Sequence, residues 1–156
     1  MNKTLTILVG LPRSGKSTWI EKNKGNSIVV SNDWIRENIL GGSYASTANA
    51  IVWTLGEAAM RMVLSQDKDV IFDAVNHTKE VRKFYVDIAR KYDAKIKMVV
   101  FMTPLGICLV RNEIPSSHKL PNKALIDMHD VFSVPDEDEY DEVEFCGGCS
   151  IKKVVK

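Results

Sequence analysis

The residues that decide the fold are 4–18, which read TLTILV followed by GLPRSGKST. The first part is an apolar, β-branched run of strand length, and the second matches the pattern G-x-x-x-x-G-K-[ST]. Glycines at positions 10 and 15 let backbone N–H groups turn inward onto phosphate oxygens, while Lys16 reaches the terminal phosphates and Ser17 offers a hydroxyl to Mg²⁺. Because a helix is predicted from about Lys16, the motif stands in the strand–loop–helix context that a nucleotide phosphate site requires.

Outward from this loop, apolar runs of strand length alternate with segments of helical period, as in strand–helix–strand units around a parallel sheet. Strands are predicted at residues 4–9, 27–31, 69–73, 95–102, 140–145 and 150–155. Helices are predicted from about Lys16, Asp33, Thr47, Thr78, Pro104 and Leu125. The expected fold is α/β, a P-loop NTPase three-layer sandwich whose central, mainly parallel sheet carries helices on both faces and a short C-terminal β-hairpin.

Length and composition narrow the class of protein. The chain has 156 residues, of which 45% are hydrophobic and 26% charged, and its formal net charge is +1. These values argue against intrinsic disorder and against a uniformly basic surface, and they predict a single domain over residues 1–156. No apolar run has the length of a signal or membrane segment, and three cysteines cannot all pair within one chain. We therefore expect a cytoplasmic protein with no membrane partner; the sequence leaves its oligomeric state open.

An acidic residue ends the third predicted strand. Residues 70–73 read VIFD, an apolar run closed by Asp73, as expected of the strand beside a phosphate loop. A carboxylate at that point can hold Mg²⁺ through water. The alternative interpretation is a strand-end aspartate that caps the following turn.

A second acid follows the second predicted strand. Asp33 stands where a carboxylate would face the γ-phosphate and take a proton from an acceptor hydroxyl. Arg36 lies three residues further along the same helix, so it could bind a phosphate or carboxylate of the acceptor in the same cleft. The alternative interpretation is that Asp33 is a helix N-cap and Arg36 a solvated arginine. Short length and the lack of an N-K-x-D guanine motif favour a small kinase over a motor or a switch.

Four blocks of sequence carry a resemblance to a known family. GLPRSGKSTW (residues 10–19), SNDWIRENI (31–39), residues 73–112 and LPNKALIDMH (120–129) together resemble the kinase domain of the phage-type polynucleotide 5′-hydroxyl kinases and related small P-loop phosphotransferases. The similarity covers roughly residues 4–132. It implies transfer of the γ-phosphate of ATP, with Mg²⁺, to the 5′-hydroxyl end of RNA or DNA.

The resemblance also implies a role for individual residues. Asp33 matches the general base, Arg36 the arginine that contacts the acceptor's phosphate, and Arg111 the first arginine of a lid over about residues 111–123. The implied catalytic residues are Lys16, Asp33 and Arg111, the substrate-binding residues Arg36, Asp73 and, more weakly, Asn76, and the metal-binding residues Ser17 and Asp73. The implied nucleotide-binding residues are Gly10, Pro12, Arg13, Ser14, Gly15, Lys16, Ser17 and Thr18.

One departure from the family pattern concerns the lid. Where family members carry a second lid arginine, this chain has residues 112–119, which read NEIPSSHK. His118 or Lys119 could stand in, but neither reproduces a planar guanidinium fork. Two other functions therefore stay open. One is a P-loop kinase with a small-molecule hydroxyl acceptor, and the other is a nucleotide-binding regulatory module with little turnover.

Other patterns have simpler interpretations. Residues 136–144 hold seven acids and no base, so they predict a solvated acidic segment; without them the first 135 residues carry a surplus of five positive charges. Arg82, Lys83, Arg90 and Lys91 recur at the spacing of a solvated helix face, and Ile51 and Met62 at that of a packed one.

Cys146 and Cys149 predict a tight glycine turn rather than a zinc site. Trp34, Tyr44 and Trp53 could stack on a nucleobase, or they could be ordinary core or half-buried surface residues.

Overall fold

The computed structural model describes residues 3–42, 46–115, 119–147 and 152–155. The strands are β1 (Thr4–Val9), β2 (Ile28–Ser31), β3 (Val70–Asp73), β4 (Lys95–Phe101), β5 (Glu142–Cys146) and β6 (Lys152–Val155). The helices are α1 (Lys16–Asn23), α2 (Asn32–Leu40), α3 (Ser46–Ser65), α4 (Lys79–Lys91), α5 (Leu105–Asn112) and α6 (Asn122–Asp130). Each predicted strand and helix has a counterpart, with ends displaced by a few residues at most.

The strands form one sheet in the order β2-β3-β1-β4-β5-β6. The pairs from β2 to β5 are parallel, and β6 adds an antiparallel edge to β5. The prediction of a mainly parallel α/β sheet is therefore confirmed. The predicted hairpin proves to be continuous with this sheet, because β5 pairs along β4. The turn between Cys146 and Cys149 lies partly outside the described residues.

Helices cover both faces of the sheet, as predicted. Along β1, Leu5, Ile7 and Val9 point to one face, where they join a buried cluster with side chains of α3 and α4. Leu8 points to the other face and packs with Trp19 and neighbouring side chains of α1. A strand buried on both faces explains why residues 4–9 form a nearly continuous apolar run.

The packed side of α3 differs from the predicted one. Ile51 and Met62 were expected inward but are 45% and 61% exposed, whereas Val52, Met60 and Leu64 are fully buried. The helix carries apolar side chains on several sides, so its periodicity alone does not select one stripe. Packing against the sheet selects the stripe one residue further along. In the part of the chain that the structure describes, no helix is both long and apolar enough to cross a membrane.

The acidic segment and the charged face of α4 were predicted to be solvated, and this is wrong for Arg82 and Glu139, whereas Lys83, Arg90 and Lys91 are exposed. Arg82 is fully buried and pairs with Glu139, which is 4% exposed. Lys79, Arg90, Lys95 and Lys97 also pair with acids between Asp136 and Glu144. The reason is topological, because β5 lies beside β4 and brings the segment before it alongside α4. Much of the basic surplus of residues 1–135 is thereby neutralised.

The close approach of the phosphate loop to β4 yields a packing test. A Cβ added at Gly10 would lie 2.7 Å from Ser14 Oγ and 2.8 Å from Phe101 Cβ, so Gly10→Ala overpacks the loop. We expect the free energy of unfolding in chemical denaturation to fall by about 1–3 kcal/mol. The control is Gly106→Ala in α5, where a Cβ meets no atom within 4 Å. It should gain roughly 0.5–1 kcal/mol; an equal gain in Gly10→Ala would contradict the packing.

Candidate active site

The sheet order brings the predicted site residues to one edge. In the parallel strands β2, β3 and β1 the carboxyl ends lie side by side, with Ser31 directly opposite Asp73. Asp33 follows β2, Asp73 ends β3, and Lys16 follows the loop after β1. Ligands of open α/β sheets bind outside this edge of the strands. The predicted phosphate loop, metal-binding acid and general base therefore belong to one site.

The phosphate loop is shaped to surround an anion. Arg13 and Gly15 have φ angles of 68° and 106°, left-handed values of the kind found in loops that bind anions through backbone N–H groups. Between them, the N–H of Ser14 donates to the carbonyl of Leu11 at 3.2 Å. Gly15 is the N-cap of α1 and supplies no side-chain cap, which leaves the N–H groups of the first helical turn to a ligand. Lys16 Nζ donates to the carbonyls of Gly10 at 3.0 Å and Leu11 at 2.9 Å.

Neighbouring elements hold this loop from two sides. Thr103, just after β4, donates its hydroxyl to the carbonyl of Ser14 at 2.8 Å. The backbone N–H of Gly10 donates to the carbonyl of Val75, which follows β3, at 3.0 Å. Sequence reasoning did not identify Thr103. The sequence offered a signal for it, because Thr103 comes just after the strand β4, much as Asp73 comes at the end of β3.

The charges of the site perturb one another. Burial lowers the pKa of Lys16, while the carboxylates of Asp73 and Asp33 raise it. Burial likewise raises the pKa of Asp73, against the lowering effects of Lys16 and of a hydrogen bond from Ser31. A perturbed lysine and carboxylate in one cleft are typical of a functional site.

Asp33 occupies the first turn of α2 but is not its cap. The alternative interpretation of Asp33 as the N-cap is wrong, because Ser31 is the N-cap. Ser31 remains extended at the end of β2, and its Oγ accepts from the N–H of Trp34 at 3.3 Å. Asp33 then falls inside the first turn and is exposed. A carboxylate that is not used for capping suits the predicted role of general base.

Arg36 is less accessible than predicted. Its side chain is 8% exposed, and Nη2 donates to Asn49 Oδ1 of α3 at 2.8 Å. The arginine thus joins α2 to α3 rather than lying on a solvated face. Its contact with an acceptor stays a prediction.

Asn76 lies beneath the loop. It is 2% exposed, and its Nδ2 donates to the carbonyl of Leu8 in β1 at 2.7 Å. At this position Asn76 bonds to the strand that leads into the phosphate loop. The predicted substrate contact of Asn76 is not tested by this geometry.

The lid arginine lies against the phosphate loop. Arg111, in the last turn of α5, donates from Nη1 to the carbonyl of Arg13 at 3.0 Å. Asn112 was predicted as part of an exposed loop but is 1% exposed, and its amide binds Leu120 and Asn122 across the base of the lid. Lys119 pairs with Glu113, and His118 lies outside the described residues.

The residues present fit Mg²⁺ and the phosphates of ATP. Lys16 and the uncapped N–H groups at the start of α1 suit phosphate oxygens, and Ser17 and Asp73 supply the oxygen ligands that Mg²⁺ prefers. Among the described residues, no group of three or more His, Cys, Asp or Glu could hold a metal ion. Phosphate oxygens would therefore have to complete the coordination of a metal, as is usual for Mg²⁺ at nucleotide sites.

Comparison with known proteins shows the family. A model described as an AAA domain, the family AAA_33, matches residues 5–135. The chain belongs to this family of P-loop kinases. The phage-type branch expected from the sequence is not specifically supported.

Several relatives resemble the chain. It is 29% identical to an L-seryl-tRNA(Sec) kinase of Methanococcus maripaludis over 84% of its length, and 27% identical to a bifunctional polynucleotide phosphatase/kinase of Schizosaccharomyces pombe over 88%. A structure of the Pnkp1/Rnl/Hen1 RNA repair complex superposes with a TM-score of 0.69 at 27% identity over 81% of this chain. The chain spans 53%, 32% and 43% of these proteins, respectively.

The raised pKa of Asp73 gives a stability test. Because its folded pKa lies above its unfolded one, its contribution to stability is present at low pH and is lost as the pH rises through the folded pKa. Asp73→Asn cannot ionise and avoids this loss. We expect its melting temperature to exceed that of the wild type by a few degrees at about pH 8 and the difference to vanish near about pH 3.

The control for this test is Asp87→Asn, an exposed acid on α4. It should change the melting temperature little at either pH. A variant Asp73→Asn that is less stable than the wild type at high pH would show that the carboxylate stabilises the free protein.

Proposed function

We propose that this chain, as a single domain over residues 1–156, transfers the γ-phosphate of ATP to the 5′-hydroxyl end of RNA or DNA in the cytoplasm. The observation that carries the proposal is the row of Asp33, Asp73 and Lys16 at the carboxyl ends of adjacent strands. Only Asp33 of the three is exposed. That difference suits two groups that hold a nucleotide and one that meets an incoming acceptor.

In this mechanism the chain mainly positions its reactants. Lys16 and the N–H groups at the start of α1 would bind the phosphates. Ser17 and Asp73 would hold Mg²⁺, which would supply neutralisation of phosphate charge. Asp33 accepts the proton of the acceptor hydroxyl as its oxygen bonds to the γ-phosphorus. The bond from the γ-phosphorus to the bridging oxygen breaks and ADP leaves. Arg111, already against the loop, would stabilise the transferring charge.

Exposed tryptophans support a polynucleotide acceptor. Trp34, the residue after Asp33, is 58% exposed, and Trp53 on the neighbouring α3 is 59% exposed. The alternative interpretation as core residues is therefore wrong for both, and Tyr44 lies outside the described residues. An exposed indole beside the proposed base can stack on the terminal nucleobase, and stacking tolerates any sequence. Two of the similar proteins also have names that refer to polynucleotide or RNA repair.

A second candidate keeps the mechanism and changes the alcohol. The similarity to an L-seryl-tRNA(Sec) kinase favours a seryl hydroxyl as the acceptor. Competition separates the two candidates. An unlabelled 5′-hydroxyl oligonucleotide should block labelling of any weaker acceptor, and failure to do so would favour the second candidate.

Replacement of the proposed base tests the reaction. With ATP labelled at the γ position and a 5′-hydroxyl oligonucleotide, we expect Asp33→Asn to lower kcat by roughly 100–10,000-fold while ATP affinity stays nearly unchanged. Lys16→Ala should instead weaken ATP binding itself.

Glu37→Gln is the matched change of carboxylate to amide further along α2 and should retain activity. Undiminished transfer by Asp33→Asn would exclude Asp33 as the base, and no transfer by the wild type would end the polynucleotide assignment.

The stacking surface can be tested separately. We expect Trp34→Ala to raise KM for the oligonucleotide by about tenfold, because stacking on one base is worth about 1–3 kcal/mol. Trp34→Phe should retain most of the affinity. Ile39→Ala, an exposed apolar residue of the same helix, is the control. Equal KM values for Trp34→Ala and the wild type would exclude stacking on this indole.

A further inference from the structure

We propose that Arg82 and Asn76 are positioning residues of the nucleotide site. A buried series of hydrogen bonds runs from residues 133–139 through these two side chains to the end of β1, and it holds the base of the phosphate loop in the shape that binds a nucleotide. The inference rests on the proposed function only for nucleotide binding, not for the identity of the acceptor.

Arg82 uses its whole guanidinium inside the protein. Nε and Nη2 donate to the two carboxylate oxygens of Glu139 at 2.8 and 3.0 Å. Nη1 donates to the carbonyls of Ser133 at 2.8 Å and Asn76 at 3.1 Å, and Nη2 also donates to Ser133 Oγ at 3.3 Å. All five N–H groups of the side chain therefore have acceptors.

The acidic end of this series is itself fixed. Glu139 Oε1 accepts the backbone N–H of Asp136 at 2.8 Å, so its carboxylate is held in place on both sides. The N–H of Ser133 donates to the carbonyl of His77 at 2.8 Å. Through Ser133, residues 133–139 thus contact the loop that follows β3.

The other end reaches the phosphate loop. Asn76 has a φ angle of 49°, and its Nδ2 bonds to the carbonyl of Leu8. The carbonyl of the preceding residue, Val75, accepts the N–H of Gly10. These two bonds hold the chain on both sides of Val9, where the strand becomes the loop. Arg82 fixes the backbone of Asn76 and, through it, both bonds.

The ion pair with Glu139 does not by itself explain why a guanidinium stands here. A buried ion pair can be replaced by apolar side chains of similar volume at little cost. Apolar side chains, however, have no donors for the carbonyls of Asn76 and Ser133. Since a binding site needs its groups held to within about 0.5 Å, the additional bonds are better explained by positioning of the loop.

Two variants of the full-length chain separate positioning from stability. Asn76→Ala removes the bond to Leu8, and the double variant Arg82→Met with Glu139→Leu removes the donors while replacing the ion pair by apolar volume. We expect both to bind Mg²⁺–ADP at least about tenfold more weakly than the wild type in isothermal titration calorimetry. The titration is run well below each melting temperature, which is measured in parallel.

Two matched controls come from the same helix. Arg90→Ala removes another pair between α4 and the acidic segment, with Asp141, that does not touch the loop after β3. Ile88→Ala lowers stability through a buried side chain, 2% exposed, elsewhere in the core. Both should keep wild-type affinity for Mg²⁺–ADP.

The outcomes are decisive for each claim. Wild-type affinity in Asn76→Ala and in the double variant, or an equal loss of affinity in Ile88→Ala, would overturn the positioning role. A wild type that binds no Mg²⁺–ADP would overturn both this inference and the proposed function. A wild type that binds Mg²⁺–ADP but phosphorylates no 5′ end would end only the assignment of the acceptor.

Discussion

The rest of the site is arranged around the ammonium group of Lys16, a partly buried residue. Lys16 is held between two backbone carbonyls of its own loop, and burial lowers its pKa against the attraction of Asp73 and Asp33. Acids at the ends of neighbouring strands attract this cation, and the parallel order β2-β3-β1 places them there. Gly15 gives α1 no side-chain cap, so the N–H groups of its first turn can bind an anion such as phosphate close to Lys16.

Much of this could be predicted from local sequence. The run TLTILV and the loop after it define a strand, an anion site and a helix in consecutive residues. Asp33 and Asp73 could be placed at one edge of the sheet because each stands at or just after the end of a predicted strand, and parallel strands bring such ends together. In these cases the chemistry and the backbone position are set by residues close together in the chain.

Contacts between distant parts of the chain could not be predicted. Arg82 has the spacing of a solvated helix face, yet Glu139, 57 residues further along, makes it a buried residue. The packed stripe of α3 was misplaced by one residue because several of its sides are apolar and only the sheet selects among them. Ser31 caps α2 instead of Asp33, since the end of β2 decides where the helix begins. Each of these predictions failed because the outcome depends on a contact with another part of the chain, which the periodicity of a single segment does not show.

We propose that one site holds the nucleotide on residues 10–17 and the acceptor hydroxyl at Asp33. The most direct measurement is a crystal structure with Mg²⁺, a non-hydrolysable ATP analogue and a 5′-hydroxyl oligonucleotide. We expect the 5′ oxygen to lie within hydrogen-bond reach, about 2.6–3.2 Å, of an Asp33 carboxylate oxygen and in line with the γ-phosphorus. An acceptor hydroxyl bound away from Asp33, or phosphates bound away from the loop, would contradict it.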